Sequence, residues 1–177
     1  TIDVSPVNDA PRIGAIADRT VARGIALSVV PVISDPDDPI EDLTFELVSG
    51  PSDAVFDSAT GRIDWTPSVN GNQEFVLRAT DPQGAATERR FTLRVRAAPV
   101  LTVTDVSLVQ GEALDHSAQA TDADGSAGLV FSLRPGAPTW ISINPATGRL
   151  TGDSSNRQGE QTVLVRVTDP DGLFAEK

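Results

Sequence analysis

The sequence predicts an all-β protein built as two tandem Greek-key β-sandwiches. Three observations carry that expectation: an internal repeat, short segments of period-two hydrophobic alternation, and an abundance of turn formers. The turn formers include 14 Gly and 13 Pro among 177 residues. Short apolar runs rich in Val, Leu, Ile and Thr, punctuated in this way, read as strands separated by turns.

The repeat fixes the number of modules. Val21-Ala22-Arg23-Gly24-Ile25-Ala26-Leu27 returns as Leu108-Val109-Gln110-Gly111-Glu112-Ala113-Leu114, so Gly24 and Gly111 lie 87 residues apart. The same step carries Asp35-Pro36-Asp37 onto Asp122-Ala123-Asp124, and Ala59-Thr60-Gly61-Arg62-Ile63 onto Ala146-Thr147-Gly148-Arg149-Leu150. One residue out of phase, Arg78-Ala79-Thr80-Asp81-Pro82 matches Arg166-Val167-Thr168-Asp169-Pro170. Four anchors in one order define a module slightly shorter than the ~100 residues of an Ig-like sandwich. The expected boundaries are 10–97 for the first repeat and 98–177 for the second, with 1–9 a strand and linker from a preceding repeat.

Alternation locates the strands. Phe91, Leu93 and Val95 share one face while Arg90, Thr92, Arg94 and Arg96 share the other. Val163, Val165 and Val167 repeat the pattern, and Phe75, Leu77 and Ala79 follow it more weakly. Such alternation marks a half-buried strand of an antiparallel sheet. Turn signals at Asn70-Gly71, Pro82-Gln83-Gly84 and Asp171-Gly172 separate these runs, giving about seven strands in the first repeat. At the ends, Thr1-Ile2-Asp3-Val4-Ser5 reads as the last strand of an earlier module, and the final strand of the second module falls beyond Lys177. Either the chain is a piece of a longer array, or another chain supplies that strand.

Composition narrows the chemistry. The net charge is −11, from 14 basic and 25 acidic residues. So acidic a chain repels nucleic acid and anionic lipid. No apolar stretch approaches the ~20 residues that span a bilayer, so no direct membrane insertion is expected. There is no Cys, which excludes disulfide and thiol chemistry and suits a cytosolic and a bacterial surface protein equally. Asp is concentrated in short loop clusters, a pattern shared by Ca²⁺ ligation and by ordinary turns.

The residues resemble cadherin-like repeats, and in particular the dystroglycan-type cadherin-like branch of bacterial surface proteins. Pro6-Val7-Asn8-Asp9-Ala10-Pro11 is similar to the Asn/Asp-rich linker between such repeats. Ala120-Thr121-Asp122-Ala123-Asp124-Gly125 looks like their Asp-x-Asp segment, followed by an aromatic strand at 129–133. Thr139-Trp140-Ile141-Ser142-Ile143-Asn144-Pro145-Ala146-Thr147-Gly148 resembles the dystroglycan-type signature, as does Thr60-Gly61-Arg62-Ile63-Asp64-Trp65-Thr66-Pro67. The resemblance covers the whole chain and implies two Ig-like, cadherin-like sandwiches with an extracellular or cell-surface location.

It also implies a cation site. Ca²⁺ takes six to eight oxygens, and carboxylates two residues apart on an extended segment face one side. Asp35 with Asp37, and Asp122 with Asp124, have that spacing. The family implies that Asp81 and Asp169 approach the same poles from another strand, with a linker Asn or Asp completing the shell. The first set is therefore Asn8, Asp9, Asp35, Asp37 and Asp81; the second is Asp122, Asp124 and Asp169. The segment Gly61-Arg62-Ile63-Asp64 replaces the family's Asp-Arg-Glu, which argues against a three-ion cluster. The linker Val95-Arg96-Ala97-Ala98-Pro99 carries no Asn or Asp, so the second set lacks linker ligands and Arg96 is a candidate to neutralise it. The competing reading of each Asp pair is a solvated turn whose carboxylates accept nearby backbone N–H groups.

Other chemistry finds little support in the sequence. Trp65 and Trp140 as a sugar-stacking platform compete with burial in the core, which Trp favours. In Asp115-His116-Ser117 adjacent side chains on a strand point to opposite faces, so no triad forms among them. Glu41-Asp42 and Asp37-Asp38 come with no pocket-forming insertion, and no phosphate loop or Zn spacing is present. The expectation is a non-catalytic structural or adhesive module whose partners are neighbouring repeats, with cell-surface glycans or another copy as further partners. The alternative is a carbohydrate-binding accessory module of a secreted polysaccharide-active enzyme.

Overall fold

A computed structural model describes residues 7–156 and 158–177. The strand expected at Thr1–Ser5 lies outside the described residues. The chain divides between Arg96 and Ala97 into two compact units. Among the described residues it is all-β apart from one 3-10 turn at Ile40–Asp42.

In chain order the first unit contains β1 (Arg12–Ile13), β2 (Arg19–Ala22), β3 (Leu27–Val29), β4 (Ile33–Ser34), β5 (Thr44–Ser49), β6 (Val55–Asp57), β7 (Arg62–Trp65), β8 (Gly71–Thr80) and β9 (Ala86–Arg96). A four-stranded sheet runs β2-β9-β8-β5 and a three-stranded sheet runs β3-β7-β6, with β1 and β4 forming a separate pair. The two larger sheets contain seven strands, the number expected for a sandwich of this class. All pairings are antiparallel except that of β2 with β9, which is parallel with Val21 opposite Val95.

Alternation on β8 and β9 builds the core. Phe75, Phe91, Leu93 and Val95 are buried together with Val21, Val29, Ile63 and Trp65. Phe75 stacks on Phe91 with centroids 5.0 Å apart, and Trp65 meets the Phe75 edge at 5.5 Å. Each such side chain contributes about 1.5–3 kcal/mol on burial. The opposite face of β9 stays polar: Arg90 pairs with Glu74 at 2.5 Å across the strands. Arg89 turns back to the Ile13 carbonyl and donates to it from Nη2 at 2.8 Å, tying the β1 segment to the larger sheet.

The second unit contains β10 (Val100–Thr102), β11 (Ala113–Ser117), β12 (Gln119–Thr121), β13 (Val130–Leu133), β14 (Ile141–Ile143), β15 (Arg149–Asp153), β16 (Val165–Thr168) and β17 (Phe174–Glu176). Its sheets are β11-β15-β14, β13-β16-β17 and the pair β10-β12. Each corresponds to a sheet of the first unit by position and register, although β13-β16-β17 has no counterpart of β2 among the described residues. Leu27 faces Trp65 in the first unit as Leu114 faces Gly152 in the second. Arg78 faces Glu88 as Arg166 faces Glu176, and both pairs form salt bridges.

Candidate functional site

The pole of the first unit is assembled where the β4 end, the β8 end and the linker 7–11 meet. Asp35 follows β4, and its Oδ1 accepts the backbone N–H of Asp37 at 2.9 Å and of Asp38 at 3.1 Å. Those two bonds bend the chain over residues 36–38, as an Asp in the first position of a turn does. The bend replaces the extended geometry that the i, i+2 spacing assumes. It swings Asp37 outward, where its Oδ2 accepts the Asp9 N–H at 2.7 Å. It swings Asp38 inward.

Asp81 enters from the end of β8 and is buried. Its Oδ1 accepts the Ala85 N–H at 2.8 Å and its Oδ2 accepts from Asn8 Nδ2 at 2.7 Å. The hydrogen bond from Asn8 is the leading reason that the Asp81 carboxyl is held below its ordinary range, against the upward push of burial. One oxygen from each of Asp35, Asp38 and Asp81 lies within 4.8 Å of the others. Oδ2 of Asp35 and Oδ2 of Asp38 are buried and accept no hydrogen bond. Burial pushes the Asp38 carboxyl up, and the charges of Asp35, Asp81 and Asp37 add to it; a hydrogen bond from the Gln83 side chain partly offsets them.

Of the five residues expected here, Asp35 and Asp81 share the group of converging oxygens. Asn8 and Asp9 tie the linker to it through Asp81 and Asp37. Asp38, outside the set expected from spacing, contributes the third converging oxygen. Converging carboxylate oxygens repel one another and suit a hard divalent cation. Ca²⁺ fits that donor chemistry.

The second pole has the same frame and fewer donors. Asp122 Oδ1 accepts the Asp124 N–H at 2.7 Å, and Asp124 Oδ2 accepts the Ala97 N–H at 2.6 Å, repeating the Asp35, Asp37 and Asp9 arrangement. Asp169 is buried, and its Oδ1 accepts the Leu173 N–H at 2.8 Å as Asp81 accepts that of Ala85. The position of Asp38, however, is taken by Gly125, and that of Asn8 by Arg96. Gly125 has φ of 122°, a conformation that glycine adopts at little steric cost. Among the described residues the carboxylates of Asp122, Asp124 and Asp169 do not form a converging group.

The tryptophans occupy opposite sides of one contact. Trp65 is buried and donates from Nε1 to Asp53 Oδ1 at 2.8 Å. The step of 87 puts Trp140 at the position of Asp53 and Gly152 at that of Trp65. A Cβ on Gly152 would lie 2.6 Å from the Trp140 carbonyl oxygen and 2.8 Å from its ring. Trp140 therefore needs a glycine beneath it, and it packs against the core of the second unit. His116 sits on β11, where its Nε2 lies 2.9 Å from the Thr104 carbonyl oxygen. Among the described residues no helix is long and apolar enough to cross a membrane.

The chain is 30% identical over 176 residues to Chitinase A of Pseudoalteromonas piscicida, covering 95% of this chain and 21% of that protein. It is 24% identical over 159 residues to the Serine-rich adhesin for platelets of Staphylococcus aureus (strain MSSA476), covering 89% of this chain and 7% of that protein. The chain thus spans about a fifth or less of the length of these relatives. Among solved structures, the protocadherin gamma B2 extracellular cadherin domains 3-6 are 18% identical with a TM-score of 0.47, covering 98% of this chain and 51% of that one. Mouse cadherin-23 EC22-24 is 20% identical with a TM-score of 0.43, covering 96% and 65%. The family model described as "Putative Ig domain" matches residues 10–96 and again 98–177. The chain belongs to the Putative Ig domain family, as two consecutive Ig-like repeats.

Proposed function

We propose that the chain is a structural and adhesive repeat module of a large extracellular or surface-attached bacterial protein. In this reading Ca²⁺ stiffens the pole of its first repeat. The observation that carries it is the convergence of Asp35, Asp38 and Asp81, with two buried oxygens that accept no hydrogen bond. Asp35, Asp38 and Asp81 would hold the ion. Asn8 and Asp9, already bonded to Asp81 and Asp37, would be fixed with it, so that the linker enters the repeat in one geometry. Without a cation the three carboxylates repel one another across the pole. The second pole, with Gly125 and Arg96 in place of Asp38 and Asn8, remains a hydrogen-bonded turn.

Scanning calorimetry in Ca²⁺ and in chelator tests this reading. A cation that binds only the folded state stabilises by about 2.7 kcal/mol at one hundred times its dissociation constant. The melting transition of the first unit is expected to rise accordingly in Ca²⁺ and to fall in chelator, with that of the second unit unmoved. Identical profiles at low ionic strength contradict the proposal.

The similarity to a chitinase along 95% of the chain favours a second reading, an accessory module that brings a polysaccharide-active enzyme to its substrate. Trp65 and Trp140 pack on the two cores, so such binding would use other surfaces. Retention of the chain on chitin, weakened by surface substitutions that leave the melting profile intact, would support this reading. Free passage over chitin would remove it.

A further inference from the structure

The solvent face of the sheet β13-β16-β17 differs from its counterpart in the first unit in both apolar content and charge. In the first unit one row across β5, β8 and β9 is Thr44, Thr80 and Ala86. The equivalent row across β13, β16 and β17 is Val130, Thr168 and Phe174. Val130 is 51% exposed and Phe174 49%. Among the described residues Phe174 is the only exposed aromatic side chain. Its ring is held in place: the Arg166 guanidinium carbon lies 4.0 Å from the ring centroid. Arg166 is itself anchored, donating from Nε to Glu176 Oε1 at 2.6 Å. A cation–π contact on one side of the ring fixes the orientation of the other.

Charge is inverted in the neighbouring row. In the first unit one guanidinium, Arg78, lies between two carboxylates, Glu46 at 3.2 Å and Glu88 at 2.6 Å. Ser132 stands opposite Arg166 where Glu46 stands opposite Arg78. In the second unit two guanidiniums share one carboxylate oxygen: Arg166 Nη2 lies 2.5 Å and Arg134 Nε 3.3 Å from Glu176 Oε1. One positive charge beside the Phe174 ring is therefore left over from these ion pairs, in a chain whose net charge is −11.

We propose that this face binds a single glucuronic-acid residue of a glycan chain. A glucuronic-acid ring carries its hydroxyls and its carboxylate equatorially. That leaves a flat face of axial C–H groups to lie on Phe174, with Val130 widening the apolar floor. The carboxylate at the ring edge meets Arg134, whose planar fork binds such a group bidentately. The Thr168 hydroxyl serves a sugar hydroxyl. An acidic peptide fits less well: β16 lies between β13 and β17, so its backbone groups are engaged in the ladder and offer no edge to an extended chain. A densely charged polymer is repelled by the net charge of the chain, whereas one surplus positive charge suits one carboxylate. The platform belongs to the second unit and is independent of cation binding at the first pole.

Titration of the full chain with xylotriose bearing one glucuronic-acid branch, followed by NMR, tests the proposal. Chelator in the buffer removes any cation bridge, so the outcome is separate from that at the first pole. The expected result is saturable binding that perturbs the Phe174 ring signals, with no binding of unbranched xylotriose. Phe174→Ala and Arg134→Ala are each expected to weaken binding by about tenfold, the loss of one central contact. Phe174→Trp is expected to retain it, and added salt to weaken it. Melting profiles of the variants that match the unaltered chain show that the face, not the fold, has changed. Absence of saturable binding overturns the proposal, as does equal binding of unbranched xylotriose or binding indifferent to Phe174→Ala. A short polyglutamate peptide that binds as tightly as the branched saccharide also overturns it, since charge alone would then account for the affinity.

Discussion

The two repeats share a frame down to single hydrogen bonds, yet they spend their acidic residues differently. At both poles an Asp closes a turn onto the amide two residues on, and the second Asp of the pair captures a linker amide: Asp9 in one unit, Ala97 in the other. Those bonds are structural and recur because the turn recurs. What does not recur is Asp38, replaced by Gly125, and Asn8, replaced by Arg96. With Asp38 present, three carboxylates converge at the first pole, where Oδ2 of Asp35 and Oδ2 of Asp38 are buried without a hydrogen bond. The difference teaches that the Asp-x-Asp hydrogen bonds recur at both poles, whereas converging carboxylates occur, among the described residues, only where a further Asp follows the pair.

The same contrast can be broken at the core, where the largest effect is expected. Phe91 is 2% exposed and stacked on Phe75. Phe91→Ala should destabilise the first unit by about 3–5 kcal/mol. Phe91 belongs to the core of the first unit, so the transition of the second should stay in place; a common shift of both transitions in denaturant melts would show that the units do not unfold independently.

Gly152→Ala attacks the second unit alone. A methyl group there must displace the Trp140 carbonyl or ring, and overpacking of this kind costs about 1–3 kcal/mol. The first unit, with Trp65 at the equivalent place, should be unaffected. Thermal melts of the variant measure the loss directly. A neutral result would mean that Trp140 yields readily.

The smallest effect sharpens the comparison through pH. Asp57 ends β6 and caps the turn before β7. A hydrogen bond from the Thr60 hydroxyl, at 2.8 Å, and another from the Ala59 N–H hold its carboxyl below the ordinary range. A depressed carboxyl contributes stability above its unfolded-state value and loses it as pH falls through the folded value. In the second unit Asn144 does the same work with an amide oxygen, accepting from Ala146 at 2.9 Å and Thr147 at 3.0 Å, and it does not titrate. Asp57→Asn should therefore flatten the acid limb of the first unit's stability while leaving that of the second unchanged. Melting temperatures taken from neutral pH down through the aspartate range would check it.

Much of this was legible in the residues. The step of 87 and the alternation on β8 and β9 gave the all-β class and the strands that carry the core, because both signals are periodic and survive without knowledge of contacts. The same step placed Trp140 opposite Gly152 where Trp65 stands opposite Asp53, although the exchange becomes visible only when the sheet register is known. Asp38 was hidden for a physical reason. The i, i+2 rule supposes an extended segment, and the hydrogen bonds to Asp35 Oδ1 bend this one so that residues i and i+3 converge. The bond from Arg89 to the Ile13 carbonyl joins residues 76 positions apart, and no local pattern announces it.

The central claim is the inequality of the two poles, and calorimetric titration of the chain with Ca²⁺ tests it most directly. The account predicts binding at the first pole that disappears in Asp38→Asn and persists in Asp124→Asn. Asp38→Asn should also raise the melting temperature of the first unit without the ion. A carboxyl pushed upward by burial and by its neighbours destabilises the fold once pH rises above its ordinary range, and the amide relieves that strain. Absence of binding heat in the unaltered chain, or binding that survives Asp38→Asn and fails in Asp124→Asn, would contradict it.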